Sequence, residues 1–336
     1  MPEMKTMIGT WVRRFLIEHL VVERNLAHNT QRSYRDTFCQ LMPFAAAYAG
    51  KVIDRLAIKD LSPEMVRRFL THIENDRTCG ARTRNQRLAA IHAFARFVGE
   101  RSPEQIAWCS GVRAVPFKRF DRAALSYLDK PEIDALIAAP DLNRSTGRRD
   151  HALLLFLYNT GARASEAAAV IIGDIEHRPD GTGSVKLVGK GAKTRHCPLW
   201  PTTITNLIML AGQRTPTERM FINQRQQPLT RYGIHRIVRR HALVLSETLG
   251  SLKNKRIGPH TIRHTTATHL LRAGVDINTI RAWLGHVSID TTNVYAEIDL
   301  EAKAKMLDQC QSFTPSTVAP RHWKNDPNLM DFLRNL

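Results

Sequence analysis

The residues with the richest chemistry fall in one stretch, 258–296, GPHTIRHTTATHLLRAGVDINTIRAWLGHVSIDTTNVYA. His260 and Arg263 are three apart, so on a helix they share a face. A guanidinium presents forked donors that match phosphate oxygens, and an imidazole can donate or take a proton. Tyr295 supplies a hydroxyl that could act as a nucleophile. Cationic donors beside such a hydroxyl, with no acidic cage for a metal, suggest phosphoryl transfer through a covalent phosphotyrosine. A lone H-x-x-R is a weak signal, whereas L-G-H-x-S-x-x-T-T-x-x-Y over 284–295 is far more specific. A zinc hydrolase is the first rival, because His260 and His264 are four apart. Arg263 stands between them where a carboxylate belongs, however, and no third ligand is evident. His264 and His269 then read as structural.

These residues need elements to position them. Apolar spacing predicts a helix from near His260 to Arg272, ended by Gly274. A second short helix fits Asp276 to Leu284 with Asp276 as its N-cap. Gly285 breaks it, and Ser288 can cap a third helix carrying Thr291, Thr292 and Tyr295. Upstream, a leucine-rich helix over Arg149 to Asn159 runs into T-G-A-R-A-S-E (160–166), where Gly161 makes a turn. Arg163 and Glu166 lie three apart at the next helix start. Between 172 and 199 the period changes: SVKLVGK and KTRHCPL read as two strands of a hairpin with a glycine-bearing turn at Lys190–Lys193.

These motifs resemble the tyrosine recombinase, or phage integrase, family, with an Xer-like two-domain architecture. The second catalytic block of that family, H-x-x-R then L-G-H then the nucleophilic tyrosine, falls on His260, Arg263, His286 and Tyr295. Its first block, T-G-x-R-x-x-E, falls on Arg163 and Glu166. The resemblance implies that Arg163, Arg263 and His286 stabilise the phosphorane and that a hairpin lysine protonates the leaving oxygen. Lys190 matches that position, with Lys193 as its rival. Glu166 either orients its catalytic neighbours or is an ordinary first-turn acid. The family needs no cofactor and no metal. It works on double-stranded DNA, as a homotetramer on two synapsed sites or as a heteromer with related recombinases. Implied tasks are integration, excision or transposition of a mobile element, with chromosome-dimer resolution as the alternative. A type-IB topoisomerase shares the chemistry, and a DNA-binding module without catalysis is a more distant reading.

Composition agrees with a nucleic-acid partner. Forty-nine Lys and Arg against 31 Asp and Glu leave +18 over 336 residues. Five scattered cysteines without zinc-finger spacing read as reduced thiols. The apolar runs 152–158 and 167–172 are too short to span a bilayer. The expectation is a cytoplasmic protein, associated with the nucleoid and not with a membrane.

The expected fold is mainly α with a small β-hairpin, an α+β catalytic domain in the two-domain DNA clamp of the family. Residues 1–111 form an all-helical domain, with helices over 4–24, Thr30 to Tyr48, from Pro63, and Thr83 to Val98. It is similar to the core-binding (SAM-like) domain of the family. Residues 112–126 are a linker, 127–312 the catalytic domain, and 313–336 a tail that could dock on a neighbouring protomer through 329–335, with Met306 or Leu307 as other candidates. Polar groups opening two of the helices are candidates for phosphate contact: Thr30, Arg32 and Tyr34, then Arg82, Arg84, Asn85 and Arg87. Lys118 and Arg119 in the linker are further candidates. So are Arg231, His235 and Arg239, beside Arg236 and Arg240 on a basic helix starting at Arg231. For all of these a merely solvated basic face is the competing explanation.

Overall fold

The computed structural model describes residues 7–120 and 126–285, apart from the side chain of Lys190. The chain divides into two compact units, Met1–Ala123 and Ala124–Leu336. His286, Ser288, Tyr295, the helix pattern at 299–310 and the tail lie outside the described residues.

The first unit is helical throughout, as its apolar spacing predicts. Helix α1 (Ile8–Arg14) continues as a π-helix over Phe15–Glu23. Then come α2 (His28–Ala49), α3 (Pro63–Asn75), α4 (Ala81–Arg101) and α5 (Ile106–Arg113). One uniform amphipathic helix is expected over 4–24, but the winding widens at Phe15. Bonding of the i→i+5 type brings Phe15 and Leu20, five apart, to one face, and both are buried. Phe15 sits at the centre of the core, with the rings of Tyr34, Phe38, Phe94 and Phe97 within 5.9 Å of its own. Helix α3 starts as expected: Ser62 Oγ accepts the Met65 N–H at 3.1 Å, and Pro63 occupies the first turn.

The stretch expected to be a linker is partly structured. Helix α5 reaches into it, and Val112 and Val115 are buried in the core of this unit. Asn85 Nδ2 donates to Lys118 O at 2.7 Å while the Lys118 N–H donates to Asn85 Oδ1 at 3.0 Å. Arg84 donates to Pro116 O at 3.1 Å. Side chains from α4 thus hold 116–118 in place, an arrangement that leaves no periodic trace in the sequence.

The second unit packs helices around a buried central one. The elements are α6 (Lys130–Ala138), α7 (Ser145–Thr160), α8 (Ala164–Ala169), β1 (Ile175–His177), β2 (Gly183–Val188), β3 (Thr194–Leu199), α9 (Pro201–Ala211), α10 (Arg231–Thr248), α11 (Pro259–Arg272) and α12 (Ile277–Leu284). Strands β2 and β3 are the expected hairpin, with Val185 opposite Cys197 and Leu187 opposite Arg195. Strand β1 adds a third antiparallel member, too short to show a period of its own. Leu153, Leu154, Phe156 and Leu157 of α7 are fully buried in the core that α6, α9, α10 and the sheet complete.

Helix α7 is also pinned to α10 by charge. Asp150, fully buried, accepts Arg149 Nη2 at 2.6 Å, Arg240 Nη2 at 2.5 Å and His241 Nε2 at 3.0 Å. Burial alone would raise its carboxyl pKa. The bonds from His241 and Arg149 outweigh that and hold it below the usual range. Arg240 therefore braces two helices and is not part of a uniformly solvated basic face. Asp150→Ala should cost about 3–5 kcal/mol of unfolding free energy by stranding the buried Arg149. Urea denaturation measures this, and a loss under about 1 kcal/mol would mean the cluster contributes little.

Candidate active site

Helix α7 ends at Thr160, and Gly161 takes a left-handed conformation (φ 58°) that turns the chain into α8. A Cβ there would also come within 2.5 Å of Leu284 Cδ2, so the glycine lets α12 pack against this turn. Arg163 follows at the N-terminus of α8. Glu166 reaches back one turn: Oε2 accepts the Arg163 backbone N–H at 2.9 Å, and Oε1 accepts Arg163 Nη1 at 2.7 Å. Glu166 is only 3% exposed. Burial would raise its pKa, but hydrogen bonds from Arg195 and Arg163 prevail and keep it ionised. Arg195 Nη2 donates to Glu166 Oε2 at 2.7 Å.

Arg263 lies in the first turns of α11 and is buried. Its Nη1 donates to Gly161 O and its Nη2 to Leu284 O, both at 2.6 Å. Arg163 Nη2 makes a longer contact, 3.5 Å, to Gly285 O. Two arginines 100 positions apart in sequence thus converge on the Gly161 turn and on the Leu284–Gly285 end of α12. Helix α12 is capped by Asp276, whose side chain accepts the Asn278 and Thr279 N–H groups, and it stops at Gly285 (φ 64°). His286 is the next residue in the chain.

His260 opens α11 and reaches solvent at a groove of about 580 Å³ shared with His235, Arg239, Lys255 and Arg256. Close packing lowers its pKa, and the charges of Arg263, Arg163 and His235 lower it further. It is therefore a neutral imidazole at pH 7, able to take a proton. His264, one turn on and half-buried, is pushed down to about 4, first by burial and then by His260 and Arg263.

His264 has a consequence for stability. Its folded-state pKa lies below the unfolded value, so between pH 6.5 and about 4 the unfolded chain binds more protons. Stability should be level above pH 6.5 in this respect and decline as pH falls through that window. Allowing for the partial exposure of the ring, the loss assigned to His264 is about 2 kcal/mol. His264→Gln should shrink the difference in unfolding free energy between pH 7 and pH 5. An identical pH dependence in the variant would refute the assignment.

Lys190 sits in the hairpin turn, where Gly191 (φ 74°) and Ala192 (φ 59°) are left-handed and the Gly189 N–H donates to Lys193 O at 2.8 Å. Lys193 is exposed. Among the other candidates, Arg32, Arg82, Arg119, Arg231, His235 and Arg239 are exposed. Thr30 is half-buried in the first turn of α2. Tyr34 packs edge-on against Phe15. Arg87 donates to Ser33 O at 3.2 Å and Thr37 Oγ1 at 3.1 Å, tying α4 to α2. Arg84 and Lys118 face Glu74, at 3.7 Å and 2.9 Å. Arg231 stacks on Tyr232. Several side chains expected to open towards a ligand therefore hold protein groups.

Arg195 and Asp150 are absent from the sequence-derived site. A signal for Arg195 existed: it alternates with Cys197 and Leu199 in β3, so if those face inward, so must it. Among the described residues no cluster of three or more His, Cys, Asp or Glu could hold a metal ion. No described helix is long and apolar enough to cross a membrane.

Comparison with known proteins gives the family of this two-unit chain. Residues 126–301 match the phage integrase family, and 12–101 match the phage integrase N-terminal SAM-like domain. A protein of Sinorhizobium fredii named as an integrase/recombinase is 37% identical over 325 residues, covering 96% of each chain. Tyrosine recombinase XerC of Pelobacter propionicus is 32% identical over 308 residues, covering 89% of this chain and 94% of its own. Among solved structures, a Tn1549 transposon integrase in complex with a circular intermediate DNA gives a TM-score of 0.69 at 14% identity, over 91% of this chain and 99% of that one. XerH bound to its difH substrate gives 0.63 at 19%, over 86% and 82%. The chain belongs to the phage integrase family. It is a tyrosine recombinase, an enzyme that cuts and rejoins DNA strands, and DNA is its partner.

Proposed function

We propose that Tyr295 is the nucleophile of a site-specific recombinase that integrates, excises or transposes a mobile element. The observation that carries this reading is the meeting of Arg163 and Arg263, from distant segments, at the turn that leads into His286. The phenol oxygen attacks a DNA phosphorus in line. The bond to the 5′-oxygen breaks, leaving a 3′-phosphotyrosyl ester. Neutral His260 takes the phenolic proton, and Lys190 gives a proton to the departing 5′-oxygen. Arg163, Arg263 and His286 stabilise the five-coordinate phosphorus, as preorganised cations do for developing charge. A 5′-hydroxyl from the partner strand then attacks the ester, re-forming a phosphodiester and releasing Tyr295. The bond energy stays in the ester, so the scheme calls for neither ATP nor a metal.

Four protomers on two synapsed duplexes would be the working assembly, either all of this chain or shared with related recombinases. Exposed Arg32, Arg82, Arg119, Arg231 and Arg239 are the side chains proposed to meet the DNA backbone. Trapping on a nicked suicide duplex tests the scheme, with mass spectrometry of the adduct. The nucleotide is expected on Tyr295; its recovery on another residue, or hydrolysed ends alone, contradicts the scheme. The XerC relative supports chromosome-dimer resolution as a second reading. Sequencing the DNA joined to the protein in cells separates the two. Reads at the ends of a mobile element favour the first reading, and reads at a single chromosomal locus favour the second.

A further inference from the structure

Arg195 touches three parts of the site at once. It projects from β3 at the position opposite Leu187. Its Nη2 donates at 2.7 Å to Glu166, the carboxylate whose other oxygen holds Arg163 at 2.7 Å. Its Nε donates at 2.8 Å to Trp283 O, in the last turn of α12. The guanidinium end lies directly on Gly285: a Cβ there would fall 3.1 Å from Nη1 and 3.2 Å from Cδ. On the other side, a Cβ on Gly189 would fall 3.3 Å from Glu166 Oε1 and 3.7 Å from Arg195 Nη1. Gly189 precedes Lys190, and Gly285 precedes His286. One side chain therefore fills the space between the glycine before the hairpin lysine and the glycine before the histidine.

We infer that Arg195 is a positioning residue whose planar fork couples the hairpin turn bearing Lys190 and the α12 turn leading to His286 to the carboxylate that holds Arg163. This rests on the roles proposed above for Lys190, His286 and Arg163. A guanidinium can serve a carboxylate and a carbonyl together, in fixed directions, whereas an ammonium is a point charge on a flexible stem. One carboxylate shared by two guanidinium groups also leaves the cluster net positive, which suits a phosphate.

The test uses the full-length chain with Arg195→Lys and Arg195→Gln. Adduct formation on a nicked duplex is followed in single turnovers at saturating protein, beside duplex affinity and thermal melting. Arg195→Lys keeps the charge beside Glu166 and loses the fork. It should bind duplex within about threefold of the parent yet form adduct about 100-fold more slowly, the scale of one lost preorganised interaction. Should Arg195→Gln fail to fold, Arg195→Gln with Glu166→Gln removes both buried charges and should still be slow. An Arg195→Lys rate close to the parent, a rate that falls only in step with affinity, or recovery of full rate in the double variant would each overturn the inference. Adduct that still forms in Tyr295→Phe would instead overturn the underlying scheme. Adduct that depends on Tyr295 but not on Arg195 removes the coupling alone.

Discussion

Tyr295→Phe should leave no detectable protein–DNA adduct while duplex affinity stays within about twofold, because the contacts to phosphates that dominate binding are made by other side chains. The substitution keeps the ring and removes a single oxygen, the one proposed to attack. Free tyrosine has a pKa of about 10, so the proposed scheme relies on its cations to favour the phenolate. A hydroxyl from serine, threonine or water would start further from ionisation. Denaturing electrophoresis of the protein after mixing with a nicked duplex reads the adduct, and fluorescence anisotropy reads the affinity. A retarded band in the variant at more than trace level would show that another residue carries the chemistry.

Arg263→Ala should be the next most damaging change, and it acts in two ways. It deletes a cation proposed to meet the reacting phosphate, and such a loss typically costs about 2.7–4 kcal/mol, or about 10²–10³ in rate. It also strips the donors from Gly161 O and Leu284 O, and each buried carbonyl left unpaired costs about 1–3 kcal/mol of stability. Loss of adduct rate should therefore come with a lower melting temperature, unlike Tyr295→Phe. Arg263→Lys separates the two contributions. It restores the charge but cannot span both carbonyls, so stability and rate should recover only in part. An Arg263→Ala protein that cleaves within tenfold of the parent would remove Arg263 from the proposed phosphate site.

Much of this was legible in local pattern. The helices of both units announce themselves by apolar spacing, the caps at Ser62 and Asp276 by residue type, and the hairpin by a change of period. The widened winding at Phe15 was hidden, because a helix pattern looks the same until one asks which residues, four or five apart, meet a common core. The structured part of 112–118 was hidden because its anchors are Arg84 and Asn85, some thirty residues upstream. Arg87 looked like an open cation but spends its donors on α2. Each of these depends on a partner distant in the chain, which spacing cannot reveal.

By itself the sequence determined which groups are available for chemistry: a phenol, two arginines, two histidines and a hairpin lysine, in motifs specific enough to identify the family. Their local backbone was determined too, since a left-handed turn at Gly161 or Gly285 follows from a glycine at a helix end. Only the tertiary structure decided how the cations are held, with Arg263 spanning Gly161 and Leu284 and with Glu166 shared between Arg163 and Arg195. The physical reason is that conformational preferences act over a few neighbouring residues. The carboxylate of Glu166 is shared with an arginine 29 residues away, and Arg263 reaches a carbonyl 102 residues away, both settled by packing between segments.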